Sequence, residues 1–113
     1  NPAQHIHSQL QILVDNQRQA IPKDIGIVKS CMAETHTHDD TGEIHIESNY
    51  AGKQFTLRQF MDVWGEDLEK DEYILEIIIN DLPATDINNL ILTDKQQIIL
   101  NYTKEWIIRQ AHD

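Results

Sequence analysis

The chain of 113 residues has a single cysteine, so no disulfide can close within it. The lone thiol of Cys31 is left for packing, reaction, metal binding or a bond between chains. Basic residues are scarce, with 9 Lys and Arg against 19 Asp and Glu, for a formal charge of −10. Polyanionic partners are disfavoured by that balance, because a nucleic-acid binder neutralises phosphates with clustered Lys and Arg and no cluster is present. Cations are the natural guests. No apolar run approaches the ~18 residues of a membrane helix; YILEIIIN at 73–80 is interrupted by Glu76 and has the length of a strand. There is no repeat and no low-complexity linker, and the length is that of one domain, residues 1–113. The start, Asn1-Pro2-Ala3-Gln4, lacks an initiator Met, as expected of a processed mature form or a shortened chain from which any export signal is already gone.

What is present is histidine. The chain holds six, three of them in ETHTHDDTGEIHIES at 34–48, among Asp39, Asp40, Glu43 and Glu47. HIHSQLQILV at 5–14 alternates at its start and predicts a strand, with Asp15-Asn16 as a turn and a second hairpin arm ended by Pro22. IGIVKSCMAE at 25–34 predicts an irregular segment running into another short strand. DDTG at 39–42 is a turn by composition, so the histidine segment predicts a hairpin with His36 and His38 on one arm and His45 and Glu47 on the other. Thr56 caps a predicted helix in LRQFMDVW, where Leu57, Phe60, Met61 and Trp64 recur at helical spacing, and Gly65 ends it. Two closing strands are predicted near 72–80 and 96–103. The fold class is α+β: a small mixed β-sheet with one packed helix, β-grasp-like by analogy of its closing strands, with the histidine hairpin inserted.

Residues i and i+2 of a strand share a face with Cα atoms ~6.5 to 7 Å apart. His5 and His7, His36 and His38, and His45 and Glu47 are three such pairs. Two imidazoles from one strand can chelate one transition-metal ion, and the surrounding carboxylates raise cation occupancy. Asp39 and Asp40 also suit a tight turn, in which Asp commonly satisfies backbone amides. Cys31 and Met32 lie shortly before His36; thiolate and thioether are soft ligands suited to Cu(I), whereas imidazole serves Cu(II), Zn, Fe and Ni. A copper-bound thiolate could also reduce Cu(II), being oxidised in turn. His112, near the C-terminus, is expected at the surface.

The set His5-Ile6-His7, Ile21-Pro22 with Ile25-Gly26-Ile27, Cys31, residues 36–47 and FTLRQFMDVWG at 55–65 resembles a family of small exported copper-binding domains of archaea and some bacteria, with members in ammonia-oxidising Thaumarchaeota. The resemblance spans most of the chain. It departs at Arg58, where many members have Gly, and in the tail YTKEWIIRQAHD. It implies an extracytoplasmic protein, often tethered to a membrane by a segment outside this sequence, that stores or handles copper and converts Cu(II) to Cu(I). The ligands it implies are His5, His7, Cys31, His36, His38, His45 and Glu47, with Asp39 as a further candidate beside them. The residues alone leave zinc as the alternative metal.

Two rival classes remain. His36-x-His38-x4-Glu43 fits the opening of a cupin metal motif, but the later Gly-Pro-Gly-His element is missing and a jelly roll accommodates the helix poorly. H-x-H-D also opens the metallo-β-lactamase motif, which needs another His where Thr41 stands and a chain about twice as long. The other class is an acidic interaction module whose histidines serve a protein partner or a pH response. A homo-oligomer is compatible with the N-terminal H-x-H, which could complete a site on a neighbouring copy.

Overall fold

A computed structural model describes residues 2–106 of the chain, and His112 with the end of the tail lies outside them. The alternation after His5 does make a strand, β1 (Gln4–Val14), whose Ser8, Leu10 and Ile12 are buried on one face. Asp15 and Asn16, at φ 49° and 65°, both take the left-handed conformation that matches the twist of a two-residue hairpin, and β2 (Gln17–Gln19) returns antiparallel to β1. Next, β3 (Ile27–Val28) and β4 (Cys31–Met32) pair only with each other, as a small ribbon apart from the main sheet. The histidine hairpin follows as β5 (Thr35–His36) and β6 (Glu43–Ser48).

The helix α1 (Leu57–Trp64) forms as its sequence predicts. Thr56 and Gln59 exchange the two hydrogen bonds of a capping box, Gly65 at φ 82° closes the other end, and Leu57, Phe60 and Met61 are buried. The chain then adds β7 (Tyr73–Ile79), β8 (Leu82–Ala84) and β9 (Gln97–Lys104). Where the sequence predicts one long connection, DLPATDINNLILTDK, the structure begins with β8, turned back by left-handed Asn80 and Asp81. Pro83 argues against a strand there, but β8 is an edge strand, where the missing N–H breaks no ladder.

The strands lie in the order β5-β6-β1-β9-β7-β8, with β2 also on β1, and every pair is antiparallel except β1 with β9. This is a mixed sheet with one packed helix among the described residues, an α+β arrangement. Its inner face supplies Leu10, Ile12, Ile44, Ile46, Ile77, Ile98, Leu100 and Tyr102 to a single core completed by Phe55, the helix and Leu90 and Leu92. Tyr102 is fully buried, its hydroxyl donating to Leu68 O at 2.5 Å, and burial pushes its pKa up to about 12. No helix among the described residues is long and apolar enough to cross a membrane.

What matters for the site is the first half of β1. Residues 4–9 pair with β6, while Gln96 on the other side takes hydrogen bonds from Ser8 Oγ and Thr93 N, both at 3.2 Å. The backbone of His7 is held too, its N–H donating to Asp94 Oδ1 at 3.1 Å and its carbonyl accepting from Lys95 N at 2.7 Å. His5 and His7 therefore project from a fixed strand, not from a loose terminus.

Candidate metal centre

The pleat sorts the side chains of β1 and β6. Ile44, Ile46 and Ser48 turn inward and are buried, so Glu43, His45 and Glu47 face outward. Across the sheet His7 stands opposite His45 and His45 opposite His36, while His5 stands opposite Glu47. Three adjacent strands thus place four imidazoles and a carboxylate in two neighbouring rows. His38 joins them differently. The strand it is expected to extend ends at His36, because Thr37 is buried and bound to the segment behind, donating to Pro22 O at 2.8 Å and accepting from Ile25 N at 3.1 Å. That anchor still leaves the His38 ring 4.7 Å from His36 and 4.6 Å from His45, centroid to centroid.

The ligand atoms form two groups, each with all members within 4.8 Å of one another: His36, His38, His45 and Glu47, and His5, His7 and His45. His45 belongs to both. Its ring lies 4.6 Å from His7 and 5.7 Å from His36, nearly parallel to the latter. Burial holds the His45 pKa below the ordinary imidazole value, helped by the nearby His7 and His38 and opposed by Glu43, whose Oε1 is 3.0 Å from Nε2. A neutral imidazole is the form that donates a lone pair to a metal.

His36 carries the sharpest constraint. Its Nδ1 is 2.7 Å from Ala33 O, and a carbonyl only accepts, so Nδ1 holds the proton and donates it. In the neutral ring, Nε2 is then left with a lone pair. It is buried, has no hydrogen-bond partner among the described residues, and faces Glu47 Oε1 at 3.4 Å, a contact that completes no hydrogen bond. A buried acceptor set against a carboxylate costs free energy unless a proton or a metal ion stands between them. The backbone carbonyl behind the ring is also the orienting contact that ligating histidines commonly have. Elsewhere charge is already matched: Lys53 and Ser48 bind Glu34, at 2.6 Å each, and hold its carboxyl below the usual range. Glu47 Oε1 instead faces two imidazole nitrogens, His5 Nε2 at 3.8 Å and His36 Nε2 at 3.4 Å.

Two sequence candidates join neither group. Cys31 is exposed on the β3–β4 ribbon. Asp39 closes its own turn, Oδ1 accepting from Thr41 N at 3.1 Å and from Thr41 Oγ1 at 2.6 Å, which holds its carboxyl below the usual range. Sequence reasoning missed the Ala33 carbonyl and Asp94, whose contacts depend on how distant segments meet. It also left Glu43 outside the ligand set, although its place two residues before His45 on the same face was readable. The mixed sheet with a parallel central pair is not the double-sheet jelly roll that a cupin requires. Comparison with protein-family models, curated proteins and solved structures gave no match for this chain.

Proposed function

We propose that this chain is a copper-binding domain that stores or handles copper outside the cytoplasm. The single observation that carries the metal reading is the buried, unpartnered Nε2 of His36 aimed at Glu47, with His38 and His45 within ligand distance. The formal charge of −10 favours cation capture. Copper ahead of zinc rests on the family resemblance and on the Irving–Williams order, since a set of three imidazoles and a carboxylate serves Zn(II) as well as Cu(II). The extracytoplasmic and membrane-tethered setting, and the archaeal affinity, rest on the resemblance alone. The β-grasp-like reading is supported by the central β1, antiparallel to β2 and parallel to the last strand, β9, which is antiparallel to β7.

With Cys31 outside both ligand groups, the resting set is one of hard and borderline donors that suits Cu(II). Reduction by the exposed thiol is then a step between chains: two Cu(II) and two Cys31 thiols give two Cu(I), one intermolecular disulfide and two protons. The test is a parallel titration of metal-free protein with Cu(II) and Zn(II), with a Cu(I)-specific chelator present and the product run on a non-reducing gel. Tight Cu(II) binding that is lost in His36→Ala supports the domain as a copper binder, and Cu(I) appearing in step with a disulfide dimer supports reduction. Weak binding, equal in wild type and His36→Ala, overturns the metal reading.

A further inference from the structure

Between the exposed and the buried histidines the rings form an unbroken file. His5 to His7 is 4.8 Å, His7 to His45 is 4.6 Å, and His45 to His36 is 5.7 Å, centroid to centroid. Along it side-chain exposure falls from 54% at His5 to 14% at His45 and 1% at His36. The carboxylate of Glu47 spans the same interval, its Oε1 lying 3.8 Å from His5 Nε2 and 3.4 Å from His36 Nε2. The two ligand groups are therefore not separable. They share His45 outright, and Glu47 touches the far member of each.

Two dications that shared one imidazole beside one carboxylate would repel each other strongly at so short a range. A single ion with two alternative sets of outer ligands avoids that repulsion. The outer set also has the form of an approach: His5 and His7 line an open cleft together with Glu43, Asp94 and Lys95, where two carboxylates against one ammonium leave a net negative charge that favours cations.

We propose that His5 and His7 are a loading station for the inner set, passing a divalent transition-metal ion to His36 and His38 by ligand exchange over His45 and Glu47. This rests on the metal-binding reading given above. His45 keeps hold throughout, while the pair His5 and His7 is replaced, one imidazole at a time, by His38 and His36, and Glu47 joins as the ion moves inward. No bond to hydrogen is made or broken if all four imidazoles are neutral. The same file works in reverse for release, so the station acts on rates more than on affinity.

The test is stopped-flow mixing of the metal-free protein with Cu(II), followed by removal of the bound Cu(II) with excess EDTA, for wild type and for His5→Ala/His7→Ala. Equilibrium affinity and stoichiometry are measured in parallel, and far-ultraviolet circular dichroism checks the fold. His5→Gln/His7→Gln repeats the comparison with the bulk of the side chains kept. The expected result in both double variants is loading and removal each slowed by about tenfold or more, with the ratio of the two rates shifted by less than about threefold. Three outcomes overturn the station. Stoichiometry that falls by one ion at unchanged rates makes His5 and His7 a separate site. An affinity loss beyond about tenfold, carried by faster removal, makes them permanent ligands. Rates equal to wild type place loading elsewhere, through the exposed His38. Failure of wild type to bind Cu(II) tightly is a different result, which sinks the metal reading itself.

Discussion

The histidine hairpin β5–β6 and the ribbon β3–β4 are neighbours in sequence and opposite in construction. The hairpin is built into the main sheet through β1, so the pleat decides where each candidate ligand points. The ribbon pairs only with itself and leaves Val28, Cys31 and Met32 exposed. It is tied at its base, where Ala33 N donates to Gly26 O at 2.7 Å and Thr37 N to Ile25 O at 3.0 Å, so its position is set while its side chains stay uncovered. Both segments carry residue types that bind metals. Only the hairpin gives them a common focus, and the difference is one of scaffolding, not of chemistry.

The largest effect should come from removing a ligand at that focus. His36→Ala is expected to weaken Cu(II) binding about a hundredfold or more, roughly 2.7 kcal/mol, in a competition titration. Cys31→Ser should stay within about threefold of wild type, because the thiol joins neither ligand group. An equal loss in both variants would erase the distinction between hairpin and ribbon.

An effect on stability, not on affinity, should follow from disturbing the hairpin's seat without touching a candidate ligand. Gly42 has φ 84°, and a Cβ there would lie 2.1 Å from Leu10 O, while its own carbonyl accepts from Leu10 N at 2.8 Å. Gly42→Ala is therefore expected to cost roughly 2 to 3 kcal/mol of stability in urea unfolding, from left-handed strain together with the backbone clash. Gly52, where a Cβ would meet nothing within 4 Å, serves as the control, and Gly52→Ala should be near neutral.

Acid should act on the hairpin next. Burial lowers the His45 pKa, so its folded value lies below the unfolded one of about 6.5. The unfolded chain then binds the proton first as pH falls, and stability of the metal-free protein declines from about pH 6.5 downward until the folded pKa is passed. In His45→Gln the slope of stability against pH in that window should flatten. Below about pH 4 the carboxylates of Glu34, Asp39 and Glu69 add a further decline of the same sign, since their folded pKa values are also lowered. Smallest of all should be changes on the ribbon: Val28→Thr and Met32→Gln expose no new cavity and are expected within about 0.5 kcal/mol of wild type.

Much of this was legible in the residues, for reasons that differ from element to element. The helix carries its own caps, Thr56 with Gln59 and Gly65, so its bounds follow from local chemistry. The pairing of His5 with His7, and of His45 with Glu47, follows from a period of two. The nearness of His38 was anticipated from the same period, yet it arises from the anchor at Thr37. β8 stayed hidden because Pro83 is a poor strand residue everywhere except at an edge, and being at an edge is a property of the whole sheet. Cys31 shows the converse limit. Its distance in sequence from His36 is short, but strand pairing within the ribbon keeps it out of either ligand group, and spacing alone carries no sign of that.

The parallel pair of β1 with β9 has a consequence for assembly in time. Gln9 meets Gln97 and Val14 meets Tyr102, so the strand bearing His5 and His7 cannot complete its ladder until nearly the whole described chain exists. Contacts that close such long loops form slowly. On the metal-binding reading proposed above, the six imidazoles of the unfinished chain could meanwhile take metal in combinations the finished sheet forbids. Refolding with a chelator present should thus give more native protein than refolding in Cu(II), and the order of events that favours the native site is sheet first, cargo afterwards.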